Sequence, residues 1–84
     1  MKLVGKNKLQ NLLSSEVDQR KWLISWISEV EYASWKSTDD VLQQFPNASI
    51  TEGGRVTFPT SNKNIKIHVK VAFPQCIVVV VEVA

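Results

Sequence analysis

The sequence predicts a single α+β domain: two main helices packed on one face of a small antiparallel sheet. Three observations lead there. Apolar residues recur at helical spacing up to about residue 45; the period switches to alternation after Pro46; and the chain has only 84 residues, room for one domain. A helical half spans about 6–45 and a β-meander about 48–84.

The elements follow in order. Lys2 to Gly5 reads as a short first strand, ended by the glycine. Asn7 with Gln10 resembles a capping box, and Leu9, Leu12 and Leu13 form a short helical stripe. Ser15 with Asp18 repeats the capping signal before a long helix to about Ala33, whose stripe is Val17, Leu23, Trp26, Ile27 and Val30. Trp22 and Trp26, four apart, read as core anchors rather than a ligand cage. Ser37-Thr38-Asp39-Asp40 starts a short helix through Gln44, and Pro46 closes it. Gly53-Gly54 marks a turn, followed by strands Arg55–Thr60, Ile65–Phe73 and Cys76–Val83, joined at Ser61–Asn64 and Pro74-Gln75.

The strand from Ile65 to Phe73 carries the functional information. Ile65, Ile67, Val69, Val71 and Phe73 face one way; Lys66, His68, Lys70 and Ala72 face the other. A four-residue turn at Ser61–Asn64 pairs Phe58 with Ile67. Arg55 and Thr57 then lie with Lys66, His68 and Lys70 on a basic surface facing away from the helices. Arg55 and Lys70 opposite one another repel unless an anion intervenes. The last strand, Ile77 to Val81, is apolar on both faces. A two-residue turn sets Val79 beside Lys70 and Val81 beside His68. Uncovered valines favour association, because burying each contributes about 1.5–3 kcal/mol. A symmetric homodimer through Ile77, Val79, Val81 and Val83 is therefore expected.

Composition bounds the rest. Hydrophobic residues at 44% and charged residues at 21% are a globular balance, and the net charge of +2 permits an anionic partner without requiring one. A domain this small buries only about 60% of its unfolded surface, which makes partners that cover apolar surface important. The single cysteine, Cys76, precludes an intramolecular disulfide and reads as a buried, inert thiol in a reducing compartment. No signal peptide is evident before Lys8 and the run Cys76–Val81 is too short to span a membrane, so a cytoplasmic protein is expected. Metal-ligand spacing, a phosphate-binding glycine loop and a basic helix for the major groove are all lacking, so no cofactor, no metal and no DNA reader are expected.

From Trp22 to Val71 the chain resembles the HigB-type toxins, relatives of the RelE ribonucleases of bacterial toxin–antitoxin pairs. The matching residues are Trp26, Val30 and Ala33, then Trp35-Lys36-Ser37, Asp40, Phe45-Pro46 and Ala48-Ser49-Ile50. Arg55-Val56, Phe58, Asn64-Ile65-Lys66-Ile67 and Val69-Lys70-Val71 continue the match, and Met1-Lys2-Leu3-Val4 fits the family's first strand. The resemblance implies metal-independent cleavage of messenger RNA on the ribosome, restrained by an antitoxin. It also implies RNA contacts by Arg55, Lys66 and Lys70. The family pattern has arginine at Lys66, tyrosine and arginine near Val79 and Val81, and a Thr-His-x-Glu-Tyr-Asp segment following the position of Ala84. Without that segment His68 and Lys66 are the catalytic candidates, although His68 reads more readily as a solvated histidine among lysines, and the cations read equally as solvated structural residues or as RNA contacts. The expected function is a toxin-like domain that binds a partner protein, antitoxin or RNA, or itself, without catalysis; the alternative is a messenger-RNA endoribonuclease toxin.

Overall fold

The computed structural model describes Met1–Ala84. Strand β1 (Lys2–Val4) leads through a 3-10 turn (Lys6–Leu9) into the short helix α1 (Gln10–Leu13). The long helix α2 (Val17–Tyr32) and helix α3 (Thr38–Gln44) follow. The remaining strands are β2 (Ser49–Thr51), β3 (Arg55–Pro59), β4 (Lys66–Ala72) and β5 (Ile77–Val83). They form a five-stranded sheet in the order β1-β5-β4-β3-β2. The predicted meander is present from β2 to β5. The sheet is nonetheless mixed rather than wholly antiparallel, because β1 pairs with β5 in parallel. That pairing joins strands from opposite ends of the chain, and local pattern carries no information about it.

Helix α2 buries Gln19, Leu23, Trp26 and Val30 at spacings of three and four. Val17, assigned to this stripe from sequence, is instead exposed, and the amide of Gln19 takes the buried position one turn before Leu23. Gln19 accepts a hydrogen bond from the Ser61 hydroxyl, which ties the helix to the β3–β4 turn. The predicted caps are not used as such. The Ser15 hydroxyl donates to the Leu12 carbonyl, and α2 begins after Glu16 without a side-chain cap. Asp40 accepts from the Lys36 amide and so closes the turn into α3.

The core joins these helices to one side of the sheet. Trp26, Trp35, Phe45 and Phe58 form an aromatic cluster, with Phe45 and Phe58 edge-on at 5.1 Å. Val56, Ile67, Val69, Val78 and Val80 are fully buried around it. Alternation therefore leaves the opposite side of the sheet without a covering layer. No helix is long and apolar enough to cross a membrane.

Cys76 departs from its predicted burial: the residue is exposed. It closes the β4–β5 turn at a positive φ of 58°, donating its amide hydrogen to the Phe73 carbonyl. The turn needs a left-handed residue at its end, and this backbone demand puts the side chain outside the sheet rather than at the start of its apolar run.

Candidate nucleic-acid interface

The open side of the sheet is built in rows by the strand register. Thr51 lies opposite Arg55, Arg55 opposite Lys70, Lys70 opposite Val79, and Val79 opposite Val4. In the next row Ser49 lies opposite Thr57 and Thr57 opposite His68. Lys66 stands opposite Pro59 at the far end of the hairpin. The register Phe58–Ile67 places Arg55, Thr57, Lys66, His68 and Lys70 together on one face, as alternation dictates.

This face is electrically one-sided. Its strands contribute Lys2, Arg55, Lys66 and Lys70 against one carboxylate, Glu82. Arg55, Lys66 and Lys70 are exposed and none makes a salt bridge; the protein's single salt bridge, Lys6 to Glu31 at 2.7 Å, lies elsewhere. Directly opposed strand residues have Cα atoms about 4.5–5.5 Å apart. Like-charged side chains projecting from such opposed positions raise the energy of the sheet, and a phosphate oxygen between them reverses the sign.

His68 is half-buried among these cations, and its Nδ1 lies 3.0 Å from Thr57 Oγ1 in a cross-strand hydrogen bond. The contact fixes the ring plane and leaves Nε2 as the nitrogen free for a second partner. Thr57 was placed on this face by the hairpin register alone. Its bond to the histidine depends on side-chain torsions and had no separate signal in the sequence.

On β5 the structure corrects the expected register. Val79 lies opposite Lys70 as predicted, but Glu82 rather than Val81 lies opposite His68. A bulge between His68 and Val69 inserts one extra residue on β5 and shifts the pairing beyond it. The same shift changes the set of open-face valines. Val79 is exposed, and Ile77 and Val81 are half-buried. Val83, opposite the buried Ile67, packs against the core instead. Val4 and Val79 form an exposed cross-strand pair beside the cations. No group of histidine, cysteine or acidic residues is arranged to hold a metal ion.

Residues 19–84 match the HigB_toxin family model, the RelE-like toxic component of a toxin–antitoxin system. The chain belongs to the HigB toxin family. The match includes β3, β4 and β5 and thus most of the basic face of this HigB-family toxin. A comparison with curated proteins finds no match.

Proposed function

We propose that this HigB-family toxin binds the RNA backbone across β3 and β4, through Arg55, Lys66 and Lys70, and that these residues act by binding rather than by cleavage. The observation that carries the reading is the opposed pair Arg55 and Lys70, held in register with no salt-bridge partner. A sheet that keeps two like charges face to face has a use for an anion there. An antitoxin is the partner that membership of the family makes plausible.

The chemistry of cleavage asks for more than charge. Attack by a 2′-hydroxyl needs one proton removed and another delivered to the leaving oxygen, and acid–base assistance is worth about 10²–10⁴-fold. Lysine and arginine stabilise a phosphorane; the side chains of this face with the chemistry to move a proton are His68 and Glu82, which lies opposite it. A second reading, ribonuclease activity centred on His68, is favoured by the Thr57 hydrogen bond that orients the ring. The two readings separate experimentally. Fluorescence anisotropy with a labelled single-stranded RNA should show affinity that falls with salt and falls further in Arg55→Ala/Lys70→Ala. Salt-independent binding, or equal binding by the double variant, overturns the RNA reading. Growth arrest on expression that His68→Ala abolishes in a folded protein transfers the case to the second reading.

The apolar half of the open face, Ile77, Val79 and Val81, supports self-association beside the RNA contacts, with a symmetric dimer the simplest closed form. Light scattering on the parent and on Val79→Lys/Val81→Lys tests it: the parent should be dimeric and the variant monomeric with unchanged helicity. A monomeric parent at high micromolar concentration removes the dimer.

A further inference from the structure

The one cleft in the molecule, about 250 Å³, lies on the helix side of the sheet where α2, the end of α3 and β3 meet. Its lining mixes polar side chains with four aromatic ones; Trp26 and Phe58 form the buried floor, and Trp22 and Phe45 are the rings with accessible surface. The rings of Trp22 and Trp26 are nearly parallel, 14° apart in plane with centroids 6.3 Å apart. Trp26 is buried, whereas Trp22, one turn earlier, is half-buried and completes the mouth. Glu29 is the only charged residue in the lining, with Asn47 among the polar ones.

Size and charge together define the occupant. Pockets for drug-sized ligands and cofactors run to about 300–1,000 Å³, so this cleft suits a single side chain. The face of a tryptophan ring is negative and attracts cations; Trp22 is the tryptophan accessible here, and the Glu29 carboxylate in the same lining adds to that preference. A guanidinium can lie flat on an aromatic ring while donating to a carboxylate at its edge, which an ammonium or an aliphatic chain does not do. We propose that this cleft is a docking site for an arginine side chain presented by an extended segment of a protein partner. The cleft opens on the helix side of the sheet, with β3 between it and the row of Arg55 and Lys70, and it borders the basic side only at Pro59, opposite Lys66. The site therefore does not depend on the RNA reading.

The test uses the full chain and short blocked tripeptides, glycine–X–glycine, with X arginine, lysine, leucine or glutamate. Heteronuclear NMR follows the indole N–H signals of Trp22 and Trp26 and the amides near Glu29 and Asn47. The arginine peptide should shift these signals at millimolar concentration, lysine less, and leucine and glutamate little. Glu29→Gln should weaken the arginine titration by about 2- to 5-fold. Trp22→Leu, which keeps apolar volume but removes the ring, should weaken it comparably. Equal shifts from the leucine peptide overturn the proposal in favour of a plain apolar anchor. An arginine titration unchanged by Glu29→Gln, or no shift at all, overturns it outright. The readout contains no RNA, so failure here leaves the basic face untouched, and loss of RNA binding in the other experiment leaves the cleft untouched.

Discussion

Adjacent residues of β4 live in different environments. Ile67, Val69 and Val71 are buried against the helices, while Lys66 and Lys70 between and beside them stand in solvent. The same parity runs through β3, where Val56 and Phe58 are buried and Arg55 is exposed. One side of the sheet holds the fold together and the other holds charge that contributes nothing to it. Stability and recognition are thus assigned by odd and even positions of the same strands. Substitutions at neighbouring positions should consequently have unrelated effects.

The sharpest break comes from the core side. Phe58→Ala removes a ring that contacts Trp26, Trp35 and Phe45, and such truncations cost about 3–5 kcal/mol. Small domains have only about 5–15 kcal/mol in total. Urea denaturation should show the midpoint collapse or the native baseline disappear. On the other side, Arg55→Ala should leave stability within about 0.5 kcal/mol, or raise it slightly as the Lys70 repulsion is lifted. Its effect should appear instead as a salt dependence of RNA binding shallower by about one unit of slope. A large stability loss at Arg55 would end the division of labour between the faces.

Thr57→Val probes the boundary between the two. The hydroxyl bonded to His68 Nδ1 is lost at nearly constant volume, and a hydrogen bond of this kind contributes about 0.5–1.5 kcal/mol. The informative measurement is the ¹⁵N shifts of the His68 ring, which should show altered tautomer populations. Unchanged ring shifts would mean that Thr57 does not orient the histidine. The smallest effect is expected at the β4–β5 turn, where Cys76→Gly should stabilise by up to about 1 kcal/mol. The φ of 58° there suits glycine, and thermal unfolding would register the gain.

How much of this was legible depends on whether the relevant contact is local. Periodicity located α2, α3 and the β3–β4 hairpin, and the turn length at Ser61–Asn64 correctly paired Phe58 with Ile67. The basic face followed from that register without further information. The bulge opposite His68 did not, because an extra residue in an unbroken run of valines leaves no mark in an apolar pattern. Its consequence, Glu82 rather than Val81 opposite His68, needs the three-dimensional pairing. Cys76 misled for a related reason: its neighbours are apolar, but its position is fixed by turn geometry. The aromatic cleft drew residues from α2, α3 and β3, and the sequence offered only the spacing of Trp22 and Trp26.

The parallel pairing of β1 with β5 has a consequence for the order in which this molecule can be made. The amide of Lys2 donates to the carbonyl of Cys76 at 2.7 Å, so β1 finds its sheet neighbour only beyond all three helices and the rest of the meander. Contacts of such separation are slow to form, because the intervening chain must be gathered first. On a translating ribosome, α2 and the β3–β4 hairpin have their local partners early, while β1 waits. The strands that carry Arg55, Lys66 and Lys70 are therefore synthesised before β5, and the pairing of β1 has to wait for that valine strand.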